Sequence, residues 1–203
     1  MNYLAHAYLS FSRPDILCGN MISDFVKGKK KYAFEPGIQQ GIALHRAIDL
    51  FTDTHPATAA AKSFFKEAYG LYAGPLVDIV YDYFLANDPT IFPKPTDLAA
   101  FTQDTYRLLR PYAGVFPEKF VRLFHYMQMQ DWLYNYRHLE GIRNSFAGLA
   151  RRALYMQDHQ QANTILEQHQ TALQHCYEDF FPQVSLLALN TLRQWQGPEG
   201  GQH

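Results

Sequence analysis

The stretch Gly41-Ile-Ala-Leu-His45-Arg46-Ala-Ile-Asp49-Leu-Phe-Thr-Asp53 decides how this chain is read. Leu44, Ala47, Ile48 and Phe51 recur with a period near 3.6 and form an apolar arc, as in a helix with one face in a core. His45, Asp49 and Asp53 fall at i, i+4 and i+8, an ionisable stripe along the border of that arc. Val77-Asp78-Ile-Val-Tyr-Asp82-Tyr-Phe-Leu85 repeats the device, with Asp78 and Asp82 at i, i+4 inside a very apolar helix. Like charges at that spacing repel, and burial raises the cost. A divalent cation or an arginine is the expected partner.

The rest of the chain carries the same period. Helices are expected over roughly Tyr3–Phe11, Pro14–Gly28, Pro36–Phe51, Pro56–Gly70 and Pro75–Ala86, then, past the proline-rich loop Asp88–Pro95, over Asp97–Arg110, Pro117–Tyr136, Leu139–Tyr155, Gln160–Phe180 and Pro182–Gln196. Almost nothing alternates with a period of 2. The expected fold is all-α, a single helical domain over residues 1–196 with a frayed tail at 197–203.

Composition narrows the function classes. The chain has 203 residues, 47% apolar and 18% charged, a globular balance for one domain. Eighteen basic against nineteen acidic side chains give a net charge of −1, so no nucleic-acid footprint is expected. No run of eighteen apolar residues offers a membrane span, and the first residues lack the basic start of a signal peptide. Two cysteines, Cys18 and Cys176, exclude a disulfide framework, and a cytoplasmic location is expected.

Asp24 in Gly19-Asn-Met-Ile-Ser-Asp24-Phe and His6 in the first helix extend the ionisable set to four helices. The candidate metal ligands are therefore His6, Asp24, His45, Asp49, Asp78 and Asp82. An oxygen-rich set with one or two imidazoles suits Mn²⁺, Mg²⁺ or Fe²⁺ better than a structural zinc. Each residue also has a plainer reading. An acidic i, i+4 pair is commonly a solvated face, His6 a core histidine, and Asp53 a cap for the helix starting at His55-Pro56. His159, His169 and His175 read as surface, and Trp132, Tyr134 and Tyr136 as packing.

At these residues the chain resembles the acyl carrier protein phosphodiesterase family. The resemblance rests on Met1-Asn-Tyr-Leu-Ala-His6, Gly19-Asn-Met-Ile-Ser-Asp24-Phe-Val-Lys-Gly28, the His45 and Asp82 stretches above, and Trp132-Leu-Tyr-Asn-Tyr-Arg137. It implies a helical fold distantly like the HD-type metal phosphohydrolases, a Mn²⁺-dependent site, and acyl carrier protein as partner. The implied reaction is hydrolysis of the phosphodiester joining 4′-phosphopantetheine to a carrier serine. The chain departs from the HD pattern in one respect: His45 is followed by Arg46, and no adjacent His-Asp dyad exists.

That chemistry suits the residues. A phosphodiester needs a cation to neutralise a non-bridging oxygen and acidify a water. Asp24, His45, Asp49 and Asp82 are the expected catalytic set, a surplus carboxylate serving as general base. Arg46 and Lys27 are expected to clamp phosphate oxygens, or Arg46 to pair with Asp49 or Asp53. Lys29, Lys30 and Lys31 are expected to meet an acidic carrier, against the plainer reading of a solubilising loop. Two other functions compete: an HD-like phosphohydrolase acting on a nucleotide such as a guanosine polyphosphate, and a non-catalytic helical protein that binds an acidic partner.

Overall fold

Helix α3, Pro36–Thr54, is the central strut of the molecule. It is seen in a computed structural model describing residues 1–153, 156 and 158–196. Pro36 supplies the fixed φ of a first helical turn, and Ile38, Ile42, Leu44 and Ile48 are buried. Before it come α1 (Tyr3–Tyr8) and α2 (Pro14–Ile22). After it come α4 (Pro56–Tyr69), α5 (Ala73–Ala86), α6 (Pro95–Leu109), α7 (Glu118–Met129), α8 (Trp132–Asn135), α9 (Leu139–Arg152) and α10 (Gln160–Gln196). No strand occurs among the described residues, and one continuous core runs from Met1 to Leu192. The fold is all-α, as expected. Among the described residues no helix is long and apolar enough to cross a membrane.

The closest packing lies between α2 and α3. A Cβ added to Gly19 would stand 2.1 Å from the Ile38 carbonyl oxygen, and one added to Gly41 would stand 2.2 Å from that of Ile16. Only glycine at both positions lets the two backbones touch. That contact brings the end of α2 against the His45 turn of α3.

Several expected boundaries move. The helix from Pro14 stops at Ile22, and a 3-10 turn, Ser23–Phe25, carries Asp24. Val26 is extended, and its carbonyl accepts from Arg46 Nη2 at 3.0 Å instead of from a helical amide. Gly28 does not end that helix; at φ +56° it opens a second 3-10 turn, Gly28–Ala33. The helix expected over Pro117–Tyr136 is two, because Asp131 takes a left-handed conformation (φ 44°, ψ 53°) between α7 and α8. Pro182 does not start a new helix but lies inside α10, whose break falls at His169 (φ −113°, ψ 17°). His169, read as surface, is half-buried, its ring packed on Phe64 at 4.7 Å. Asp53 does not cap α4. His55 Nδ1 accepts from the Ala57 amide, and Asp53 pairs with Lys62 at 2.7 Å. The tail expected at 197–203, and the helix end expected at Tyr155, lie outside the described residues.

Candidate active site

Three donors converge where α1 meets α3. One ligand atom each from His6, His45 and Asp49 lies within 4.8 Å of the others. The i, i+4 spacing on α3 places the Asp49 carboxylate 3.0 Å from His45 Nε2, and the same carboxylate is 3.2 Å from His6 Nε2. The two imidazoles stack with centroids 4.0 Å apart and planes at 14°. Asp24 reaches the group from its 3-10 turn, 3.2 Å from His45 Nε2.

A buried polar frame orients these groups. Asn20, wholly buried in α2, donates to the His6 carbonyl at 2.9 Å and to Ser10 Oγ at 3.0 Å. Its own carbonyl lies 2.8 Å from His45 Nδ1. That contact fixes the proton of a neutral His45 on Nδ1 and leaves Nε2 as a lone pair facing Asp24 and Asp49. Buried His6 has no hydrogen-bond partner for Nδ1 among the described residues, and its Nε2 meets only the Asp49 carboxylate, at 3.2 Å. Burying polar groups unpaired is costly, so such an imidazole, beside a second imidazole and two carboxylates, fits a divalent cation.

The α5 carboxylates have other partners. Both oxygens of Asp82 accept backbone N–H groups, from Leu4 at 2.8 Å and Ala5 at 3.1 Å. They satisfy amides that the first turn of a helix leaves free, so Asp82 holds α1 and thereby His6 in place. Asp78 pairs with the α-ammonium of Met1 at 3.2 Å, and that ammonium also lies 3.3 Å from Asp49.

Electrostatics follow from these contacts. Burial and the neighbouring His45 push His6 down to about 4, so it is neutral at pH 7. Burial also acts to lower His45, but its bonds to Asp24 and Asp49 outweigh it and raise the ring to about 9. The His45 bond holds Asp24 below the usual carboxylate range. Asp49 is desolvated, yet both histidines keep it far below that range. Burial raises Asp78, and raises Asp82 to about 7 despite its two backbone bonds. The Met1 ammonium is desolvated too, but Asp78 and Asp49 lift it to about 10.

The group opens into a cavity of about 980 Å³, at the upper end of small-molecule sites. His6, Asn20, Asp24, His45 and Asp78 line it on the α1–α5 side, and Trp132, Tyr136, Arg151 and Arg152 are on the α8–α9 side. Asp49, Asp82, Arg46 and Lys27 are not among its lining residues. Arg46 pairs with neither Asp49 nor Asp53 but holds the Val26 carbonyl, bracing the Asp24 turn. Lys27, Lys29 and Lys30 are exposed just beyond it, and Lys31 lies 5.0 Å over the Tyr32 ring. Trp132, read as packing, is cavity wall; Tyr136 touches the cavity but is buried in the core, as expected. Sequence reasoning missed Asn20, whose polarity in the apolar run Ile16–Ile22 was the available signal. It also missed Arg151 and Arg152, for which α9 offered none.

Comparison with known proteins places this geometry in context. A family model described as acyl carrier protein phosphodiesterase matches residues 1–184. Among similar curated proteins, the acyl carrier protein phosphodiesterase of Serratia proteamaculans is 31% identical over 184 residues, covering 91% of this chain and 95% of its own length. The protein of that name from Photorhabdus laumondii subsp. laumondii is 30% identical over 190 residues, 94% of this chain and 96% of its own. That from Salmonella paratyphi A is 30% identical, covering 91% and 95%. No solved structure matches the chain.

Proposed function

The chain belongs to the acyl carrier protein phosphodiesterase family, and from that premise we propose that it hydrolyses holo-acyl carrier protein. Water adds to the phosphorus, the bond to the carrier serine oxygen breaks, and that oxygen takes a proton. Apo-carrier and 4′-phosphopantetheine result. The observation that carries this reading is the His6–His45–Asp49 group with Asp24 beside it, open to a cavity of about 980 Å³.

His6, His45 and Asp49 would hold the metal, and two imidazoles with carboxylate oxygens favour Mn²⁺ or Fe²⁺ over Mg²⁺. When bound, the ion supplies Lewis acidity toward phosphoryl oxygens and a more acidic water. Asp78 and Asp82 are left out of this ligand set, since the ammonium and the α1 amides occupy them. Asp24 is the most exposed of the carboxylates and is the base of the site, while Asn20 keeps the His45 ring in register. The two free thiols, Cys18 and Cys176, support a cytoplasmic setting.

A mass assay for loss of phosphopantetheine from holo-carrier, with Mn²⁺ and with chelator, tests the proposal. Metal-dependent loss is the expected result; intact holo-carrier under both conditions overturns it. Trp132 in the cavity wall favours one competitor, a nucleotide phosphohydrolase, because a base stacks on such a ring. Release of phosphate from a nucleotide panel, with holo-carrier untouched, would select it.

A further inference from the structure

Helix α9 turns one face to the cavity. Gly141, Asn144, Ser145, Gly148, Leu149 and Arg152 all line it, at i, i+3, i+4, i+7, i+8 and i+11. At about 1.5 Å per residue, that row is about 16 Å long. It is a long strip, cationic at one end, with amide, hydroxyl and apolar groups along its length.

Two residues on the strip are unexplained by the fold. Gly148 lies inside the helix, where glycine is less stable than alanine by roughly 0.5–1 kcal/mol. A Cβ there would meet only Arg151 Nη2, at 3.8 Å, among the described residues. Packing therefore does not require glycine at 148, in contrast to Gly141, whose Cβ would stand 2.1 Å from the Asn135 carbonyl oxygen. What glycine at 148 keeps clear is the cavity. Arg152 has no ion-pair partner among the described residues. It lines the same cavity as Tyr3, Asp24 and His45.

We propose that this face of α9 is the seat of the phosphopantetheine arm, with Arg152 as the phosphate-binding cation. The proposal rests on the carrier-hydrolase reading and assigns its substrate-positioning residues. Arg152 takes the part that the sequence suggested for Arg46, which holds the Val26 carbonyl and does not line the cavity. Asn144 and Ser145 face the amides of the arm, and Gly148 leaves room for its backbone. Ser145 Oγ donates to the Gly141 carbonyl at 2.9 Å and keeps its lone pairs for an amide N–H.

The test is calorimetric titration of the full chain with free 4′-phosphopantetheine, with and without Mn²⁺, beside holo-carrier kinetics. Arg152→Ala should weaken phosphopantetheine binding about 10- to 100-fold, the loss of one charge-assisted contact, and Arg152→Lys should recover part of it. Gly148→Leu should raise KM for holo-carrier more than it lowers kcat. Gly148→Ala should raise Tm while weakening phosphopantetheine binding, opposite signs that a purely structural role would not produce. Unchanged binding and unchanged KM in Arg152→Ala and Gly148→Leu would overturn the proposal. If the unaltered protein binds phosphopantetheine through Arg152 but leaves holo-carrier intact, the arm site stands and the reaction assignment fails.

Discussion

His6 and His45 lie ring on ring, 4.0 Å between centroids, and both reach the carboxylate of Asp49. One ring is pushed down to about 4 and the other up to about 9, so at pH 7 the pair shares a single proton, held on His45. Two stacked imidazolium rings would repel; one charge between two carboxylates is stable.

Metal binding must therefore displace that proton. Titrating the metal-free protein with Mn²⁺ between pH 7 and 8 should release about one proton per ion, read from heats in buffers of different ionisation enthalpy. Asp49→Asn should weaken the ion by about tenfold or more with helicity unchanged, because Asp49 touches both rings. Metal binding with no proton uptake by the buffer would rule out His45 as a ligand.

Without metal, the two histidines act on stability from opposite sides of neutrality. The His45 contribution is complete below its unfolded value of 6.5 and is lost as pH rises through about 9. His6, lowered in the fold, contributes fully above 6.5 and loses that contribution as pH falls toward about 4. Asp82, raised to about 7, opposes His6 on the acidic side, and the two roughly cancel there. Tm of the chelated protein should therefore fall chiefly as pH rises from about 7 through about 9, and saturating Mn²⁺ should shrink that fall. A flat profile from about pH 7 to about 9 would contradict the His45 assignment.

Asp82 should behave as a structural residue. Asp82→Ala leaves two buried amides of α1 without acceptors, at a cost of about 2–4 kcal/mol. Asp82→Asn keeps one acceptor and should cost less. Urea unfolding measures both, and an Asp82→Ala protein of full stability but without metal affinity would make Asp82 a ligand instead.

Gly19→Ala and Gly41→Ala should each destabilise the fold by about 1–3 kcal/mol, since the new methyl meets backbone at the α2–α3 crossing. Any separation of α2 from α3 also draws the Asn20 carbonyl off His45 Nδ1. Mn²⁺ affinity should fall alongside Tm. Loss of stability at constant affinity would show that Asn20 does not orient the ring.

Lys29, Lys30 and Lys31 follow the Asp24 turn and are suited to meet an acidic carrier. Replacing all three with glutamate should raise KM for holo-carrier and flatten its salt dependence, since such charges are screened over roughly 8 Å at physiological salt. Unchanged KM across a salt series would return the lysines to a solubilising loop.

Much of this was already legible in the residues. The 3.6 period of Leu44, Ile48 and Phe51 sufficed for α3, and helical spacing alone set Asp49 one turn beyond His45. Both are local: neighbours along a helix meet whatever the rest of the chain does. The pair Asp78 and Asp82 shows where local reasoning stops. They share the spacing of His45 and Asp49 and the same apolar setting, yet Asp82 binds the amides of α1 and Asp78 an ammonium. Spacing places a carboxylate on a face, and only the neighbouring helix decides what it meets. His6 joined His45 because Asp82 anchors α1, and the Asn20 carbonyl reached His45 because two glycines let α2 touch α3. Arg152 came to the cavity from a helix more than a hundred residues away, along a polar face that reads in sequence like any solvated surface. The sequence determined the helices and the chemistry available on each. Which groups share an ion, a cavity or a proton was decided by inter-helix contacts, and these depend on pairs of residues too distant in the chain for any periodicity to link.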